Sequence, residues 1–147
     1  MAFKRILAAV DFSRESVKAF FVAVEIARLH SAALLVFHVI EAAPAAPHLL
    51  PAGGLGEAVL DIVEKANAAM ARLIEDARPA LKGLAFESEV ITGRAFDEIV
   101  ERAGEWKADL VVLGSKGATS LEDALVGGTA QEVVERAPCS VLVKRSK

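Results

Sequence analysis

Five short apolar runs, at residues 6–10, 33–40, 84–91, 110–113 and 141–143, alternate with four amphipathic stretches, and nothing else in the chain restricts its fold so tightly. Short runs of this length suit buried strands, and the alternation predicts an α/β fold built on a mainly parallel sheet. Between the first two runs, Val17, Phe20, Phe21, Val24 and Ala27 recur at helical spacing, with Ser13 ahead of them as the N-cap. The second helix carries Val59, Ile62, Val63, Ala66, Met70, Leu73 and Ala77 on one face and is expected to stop near Pro79. The third gathers Phe96, Ile99, Val100 and Ala103; the fourth, after Gly128, has Ala130, Val133 and Val134 and ends before Pro138. These faces read as core packing, as do Phe37, Phe86 and Trp106.

At 147 residues and 54% hydrophobic composition, the chain has the length and apolar content of one domain, residues 1–147. Its formal charge of −3 comes without a basic run or interleaved aromatics, which argues against nucleic acid as a partner. No apolar stretch approaches bilayer-spanning length, and the run at the start is too short for a signal peptide and is interrupted by Asp11. A lone cysteine, Cys139, leaves no internal disulfide and fits a reducing, cytoplasmic setting. Residues 41–58, EAAPAAPHLLPAGGLGEA, read as a long loop after the second strand.

In an open parallel sheet, ligands sit at the carboxyl ends of the strands where strand order reverses. Right-handed crossovers permit two orders here. One, 3-2-1-4-5, brings Asp11 beside Gly114; the other, 2-1-3-4-5, brings it beside Thr92, Gly93 and Arg94. The glycines favour the first, because the connection after the fourth strand, GSKGATSLEDALVGGT at 114–129, is the most glycine-punctuated strand-to-helix loop of the chain. Gly127 and Gly128 stand just before the fourth helix, where unpaired N–H groups and the helix dipole favour an anion, and glycine lets backbone approach a phosphate closely. A structural loop is the competing reading. Asp11 suits hydrogen bonds to a base or sugar, a helix cap, or both. Glu122 and Asp123, between the glycine ends, fit a solvated outer face.

Other chemistries lack their residues. GxxxxGK[ST], a glycine fingerprint after the first strand, and GxSxG are all missing. His30, His38 and His48 are scattered without a second ligand at metal spacing, and His38 reads as a hydrogen-bonded core histidine.

With these residues in place, the chain resembles the universal stress protein family along essentially its whole length. KRILAAVDFSRES is similar to the family's first strand and helix start, LLVFHVIE to its second strand, and VVLGSKG, Gly127-Gly128 and APCSVLVKR complete the pattern in order. Gly114, Gly117 and Gly127 match the G-x2-G-x9-G spacing of the ATP-binding subgroup, but Gly128 stands where that pattern has Ser or Thr, and Thr129 follows one place later. The resemblance implies a Rossmann-like α/β/α sandwich with an open five-stranded parallel sheet, order 3-2-1-4-5. It also implies a bound adenine nucleotide, ATP or else ADP or AMP, with Mg²⁺ accompanying a triphosphate. Ala9, Val10 and Asp11 would border adenine and ribose, and Val39 the base; Leu113, Gly114, Ser115, Lys116 and Gly117 would run beside ribose and phosphates. Gly127, Gly128 and Thr129 would donate N–H groups to the phosphates.

The apolar final strand, an edge in that order, together with the family's habit, implies a homodimer. The expected function is a stress-response sensor or adaptor that binds nucleotide. A nucleotide-independent dimeric interaction protein, or a slow ATPase with residues 44–56 as a lid, are the alternatives. No activated nucleophile or placed general base is visible, so no catalytic residue is assigned.

Overall fold

The computed structural model describes residues 2–41, 54–116 and 126–146. Along the chain run β1 (Arg5–Ala9), α1 (Arg14–His30), β2 (Ala33–Ile40), α2 (Gly54–Leu81), β3 (Phe86–Thr92), α3 (Ala95–Glu105), β4 (Leu110–Gly114), α4 (Gly128–Arg136) and β5 (Ser140–Lys144). The strands form one parallel sheet in the order β3-β2-β1-β4-β5. Strand order therefore reverses between β1 and β4, the arrangement that the glycines of the β4–α4 connection favour.

The two-residue side-chain period of a strand divides the core into two layers. Ile6, Ala8, Val10, Leu34, Val36, Leu110 and Val112 face α1 and α2, where they meet Phe20, Val24, Met70 and Leu73. Leu7, Ala9, Leu35, Phe37, Val39, Val111 and Leu113 point the other way, onto Ile99 and Ala103 of α3 and Ala130 and Val133 of α4. Apart from Arg5 and His38, the central strands are apolar because both faces are covered. β3 is an edge and is exposed over Phe86, Glu87 and Ser88, with Glu89 half-buried. β5, the other edge, is half-buried from Val141 to Lys144.

Several boundaries differ from the sequence reading. α2 continues past Pro79 to Leu81, since Leu81 is 2% exposed in the α1–α2 core and draws the helix on. The Arg28 guanidinium closes that end by donating to the carbonyls of Ala80 and Lys82. At its start α2 reaches back to Gly54, so 54–58 is helix rather than loop; anchoring of the stripe below Ala66 propagates helix into weak formers. The rest of the expected loop, 42–53, lies outside the described residues. β3 begins at Phe86, two places after the apolar run does, and Phe86 is exposed on the edge rather than in the core. Phe21, Ile62 and Val134 are likewise exposed, at the margins of their helical stripes. Trp106 packs half-buried against the α3–α4 layer, with the Arg5 guanidinium over its ring.

Candidate functional site

β1 ends in a tight turn that fixes the floor of the site. The Asp11 carboxylate accepts the Ser13 N–H at 2.9 Å, and Ser13 in turn caps α1 by accepting the Ser16 N–H at 3.2 Å. Asp11 N–H donates to the Ser16 hydroxyl, which itself donates to the Ser13 carbonyl. Between the two caps, Phe12 adopts φ 65°, a left-handed conformation that costs a non-glycine residue about 1–2 kcal/mol. Its ring lies 4.5 Å from that of His38, whose Nδ1 stands 2.7 Å from the Val10 carbonyl. A carbonyl only accepts, so Nδ1 carries the proton, and His38 is the hydrogen-bonded histidine expected from its place in a strand.

Across the reversal point, Gly114 ends β4. A Cβ there would stand 3.2 Å from the Glu15 carbonyl carbon and oxygen and 3.3 Å from the Ser16 nitrogen. Glycine is needed at this position so that β4 and the first turn of α1 can close on each other. Ser115 then ties the site together: its N–H donates to the Lys144 carbonyl of β5, and its carbonyl accepts the Gly127 N–H. The latter bond joins the two glycine-bearing ends of the 114–129 connection and occupies the Gly127 N–H, so this group is not the free phosphate donor expected from the sequence. The Ser115 hydroxyl is buried without a hydrogen-bond partner, a state that costs about 1–3 kcal/mol.

α4 opens onto the same space. Its N-cap, Gly127, is extended and makes no side-chain cap bond, and its first turn holds no acidic residue. A Cβ built on Gly128 meets nothing within 4 Å. Among the described residues no side chain accepts from the N-terminal N–H groups of α4, which face the same space as a helix start suited to an anion.

These elements enclose a cavity of about 590 Å³ at the carboxyl edge of the sheet. Ala9, Val10, Asp11, Val39, Leu113, Gly114, Ser115, Lys116, Gly127, Gly128 and Thr129 all line it. Gly117, Glu122 and Asp123 lie outside the described residues. The wall also contains Phe37, Ile99 and Ala130, which sequence reasoning assigned only to packing, and Ser16, Glu41 and Ala95, which it did not assign at all. Glu41 follows β2, and its Oε1 accepts the Ala95 N–H at the start of α3 at 2.7 Å. No local pattern announces a cap that joins residues 54 positions apart. Among the described residues, no group of three or more His, Cys, Asp and Glu side chains is placed to hold a metal ion, and no helix is long and apolar enough to cross a membrane.

Fold and cavity together define a class: a parallel α/β protein whose strand-order reversal carries a cavity of mixed polar and apolar lining, with a carboxylate at the end of β1 and, opposite, a helix N-terminus that no side chain among the described residues caps. The chain belongs to the universal stress protein family, whose profile matches residues 2–145. It is 34% identical over 144 residues to a universal stress protein of Thermus aquaticus, spanning 97% of this chain and 99% of that one. The solved universal stress protein UspA of Lactobacillus plantarum superposes with a TM-score of 0.83 at 29% identity, with 99% of each chain covered. A universal stress protein solved in complex with cAMP superposes with a TM-score of 0.65 at 26% identity, covering both chains in full.

Proposed function

We propose that this universal stress protein binds an adenine nucleotide, ATP or its di- or monophosphate, and acts as a nucleotide-dependent sensor or adaptor in the stress response. The observation that carries the proposal is the start of α4, which no side chain among the described residues caps and which opens on the same cavity as Asp11 and Val39. An anion belongs at that helix end, where partial positive charge and unpaired donors meet. The cavity volume suits a nucleotide-sized ligand, and the relative solved with cAMP supports the adenine class. In this reading the base packs beside Val39, the ribose lies near Asp11, and the phosphates take the N–H groups of Gly128 and Thr129. Lys116, on the same wall, adds positive charge to the phosphate side. A Mg²⁺ ion accompanying a triphosphate would be held chiefly by phosphate oxygens and water, as this ion usually is. Isothermal titration calorimetry on nucleotide-stripped protein tests the reading, with mass spectrometry of whatever co-purifies. Binding of ATP, ADP or AMP below millimolar concentration is expected; binding of none of them refutes it.

A second reading rests on two observations: Gly128 lacks the hydroxyl of the ATP-binding pattern, and β5 leaves an apolar strand on an open edge. In that reading the protein is a dimeric docking module that works without nucleotide. Pairing of β5 with a second copy belongs to both readings, and a lysine at Val141 or Val143 should then shift the sedimentation coefficient toward monomer.

A further inference from the structure

Two helices begin on the wall of the same cavity, α3 at Ala95 and α4 at Gly128, and by backbone alone both would attract an anion. Side chains break the equivalence. The N-cap of α4 makes no side-chain cap bond, and its first turn is free of acids. The N-cap of α3, Arg94, also makes none, but Glu41 reaches across from the end of β2 and places Oε1 2.7 Å from the Ala95 nitrogen. Glu41 and Ala95 both line the cavity, whereas Asp97 and Glu98, the acids of the first turn of α3, do not. Among the described residues, the charge facing the ligand at the α3 end is therefore that of Glu41.

We infer that Glu41 is a specificity-determining plug: its carboxylate occupies the anion-attracting start of α3, so the cavity accepts a ligand with one anionic end, directed at α4. The opposite end must be uncharged and able to donate a hydrogen bond, because what faces it is a carboxylate that only accepts. A nucleoside phosphate with an unmodified base has this polarity. A ligand anionic at both ends meets like charge at Glu41 and is rejected. The polarity argument rests on the reading of α4 as the anion end given above, whereas the blocking of α3 stands on the Glu41–Ala95 contact alone.

Backbone amide NMR during titration with inorganic phosphate separates these parts, and the chain is small enough, at 15.5 kDa, for every amide to be followed. In the unaltered protein, phosphate should move the Gly128 and Thr129 resonances and leave Ala95 in place. In Glu41→Ala, the Ala95 resonance should also move and saturate, at a phosphate concentration at least about tenfold lower than any response of Ala95 in the unaltered chain. A saturable Ala95 shift in the unaltered protein overturns the inference without any variant. So does an Ala95 resonance in folded Glu41→Ala that ignores phosphate while Gly128 and Thr129 respond. If Ala95 of the variant responds and the α4 amides never do, the plug at α3 stands and the placing of phosphate at α4 falls.

Discussion

Gly128 offers the sharpest test of the phosphate reading, because the structure allows a hydroxyl there without disturbance. A Cβ at this position meets nothing within 4 Å, and the backbone is not in the left-handed region that reserves a site for glycine. Gly128→Ser should therefore fold normally while placing a hydroxyl on the first residue of α4, beside its open N–H groups. A hydrogen bond from hydroxyl to a charged phosphate contributes about 1.5–3 kcal/mol, and ordering the short serine side chain returns only part of that. The net gain, about 1–2 kcal/mol, corresponds to roughly five- to thirtyfold tighter binding. Gly128→Ala separates the hydroxyl from the backbone effect. It removes unfolded-state freedom and should stabilise the protein by about 0.4–1 kcal/mol without changing affinity. Calorimetry with ATP, ADP and AMP on the three proteins, with thermal denaturation in parallel, reads both quantities. Equal affinity of the serine and alanine variants would refute the claim that the phosphate lies within reach of residue 128. Equal tightening in both would assign the gain to stiffening of the helix start.

Two further substitutions probe the walls of the site. Gly114→Ala forces a methyl group to within 3.2 Å of the α1 backbone at Glu15, which cannot yield as a flexible side chain would; a loss of about 1–3 kcal/mol is expected in denaturant unfolding, and unchanged stability would show that β4 and α1 are not closed on each other. Ser115→Ala removes a buried hydroxyl that has no partner, so stability of the ligand-free protein should hold or rise by up to about 1 kcal/mol; a clear loss would mean that the hydroxyl is paired in solution.

The fold was legible because its cause is local. Each central strand is a short apolar run, and the parity of its residues, such as Ile6, Ala8 and Val10 against Leu7 and Ala9, decides which helical layer each one meets. Strand order was legible for a different reason: glycines collect where backbone must pass close, and Gly114 does lie against the α1 backbone. The ends of α2 were not legible. Pro79 and the glycines before residue 58 signal a stop, but the burial of Leu81 and the guanidinium of Arg28 act from outside the local window.

The same division runs through the cavity. Asp11, Gly114, Gly127 and Gly128 could be named from the sequence because each belongs to a strand end or a helix start, and such positions advertise themselves by residue type. Glu41 could not. It sits after β2 as an ordinary acid before a proline-rich stretch, and its role appears only when β2 and β3, paired in register from Leu34 with Phe86 to Ile40 with Thr92, bring the start of α3 to it. Ile40 reinforces that approach by accepting the Gly93 N–H at 3.0 Å, just before α3 begins. A capping bond of this kind depends on register between strands, a quantity set by the whole sheet. The residue types that could bind a ligand are thus written locally, whereas the choice of which helix start is left open to it is made by tertiary packing.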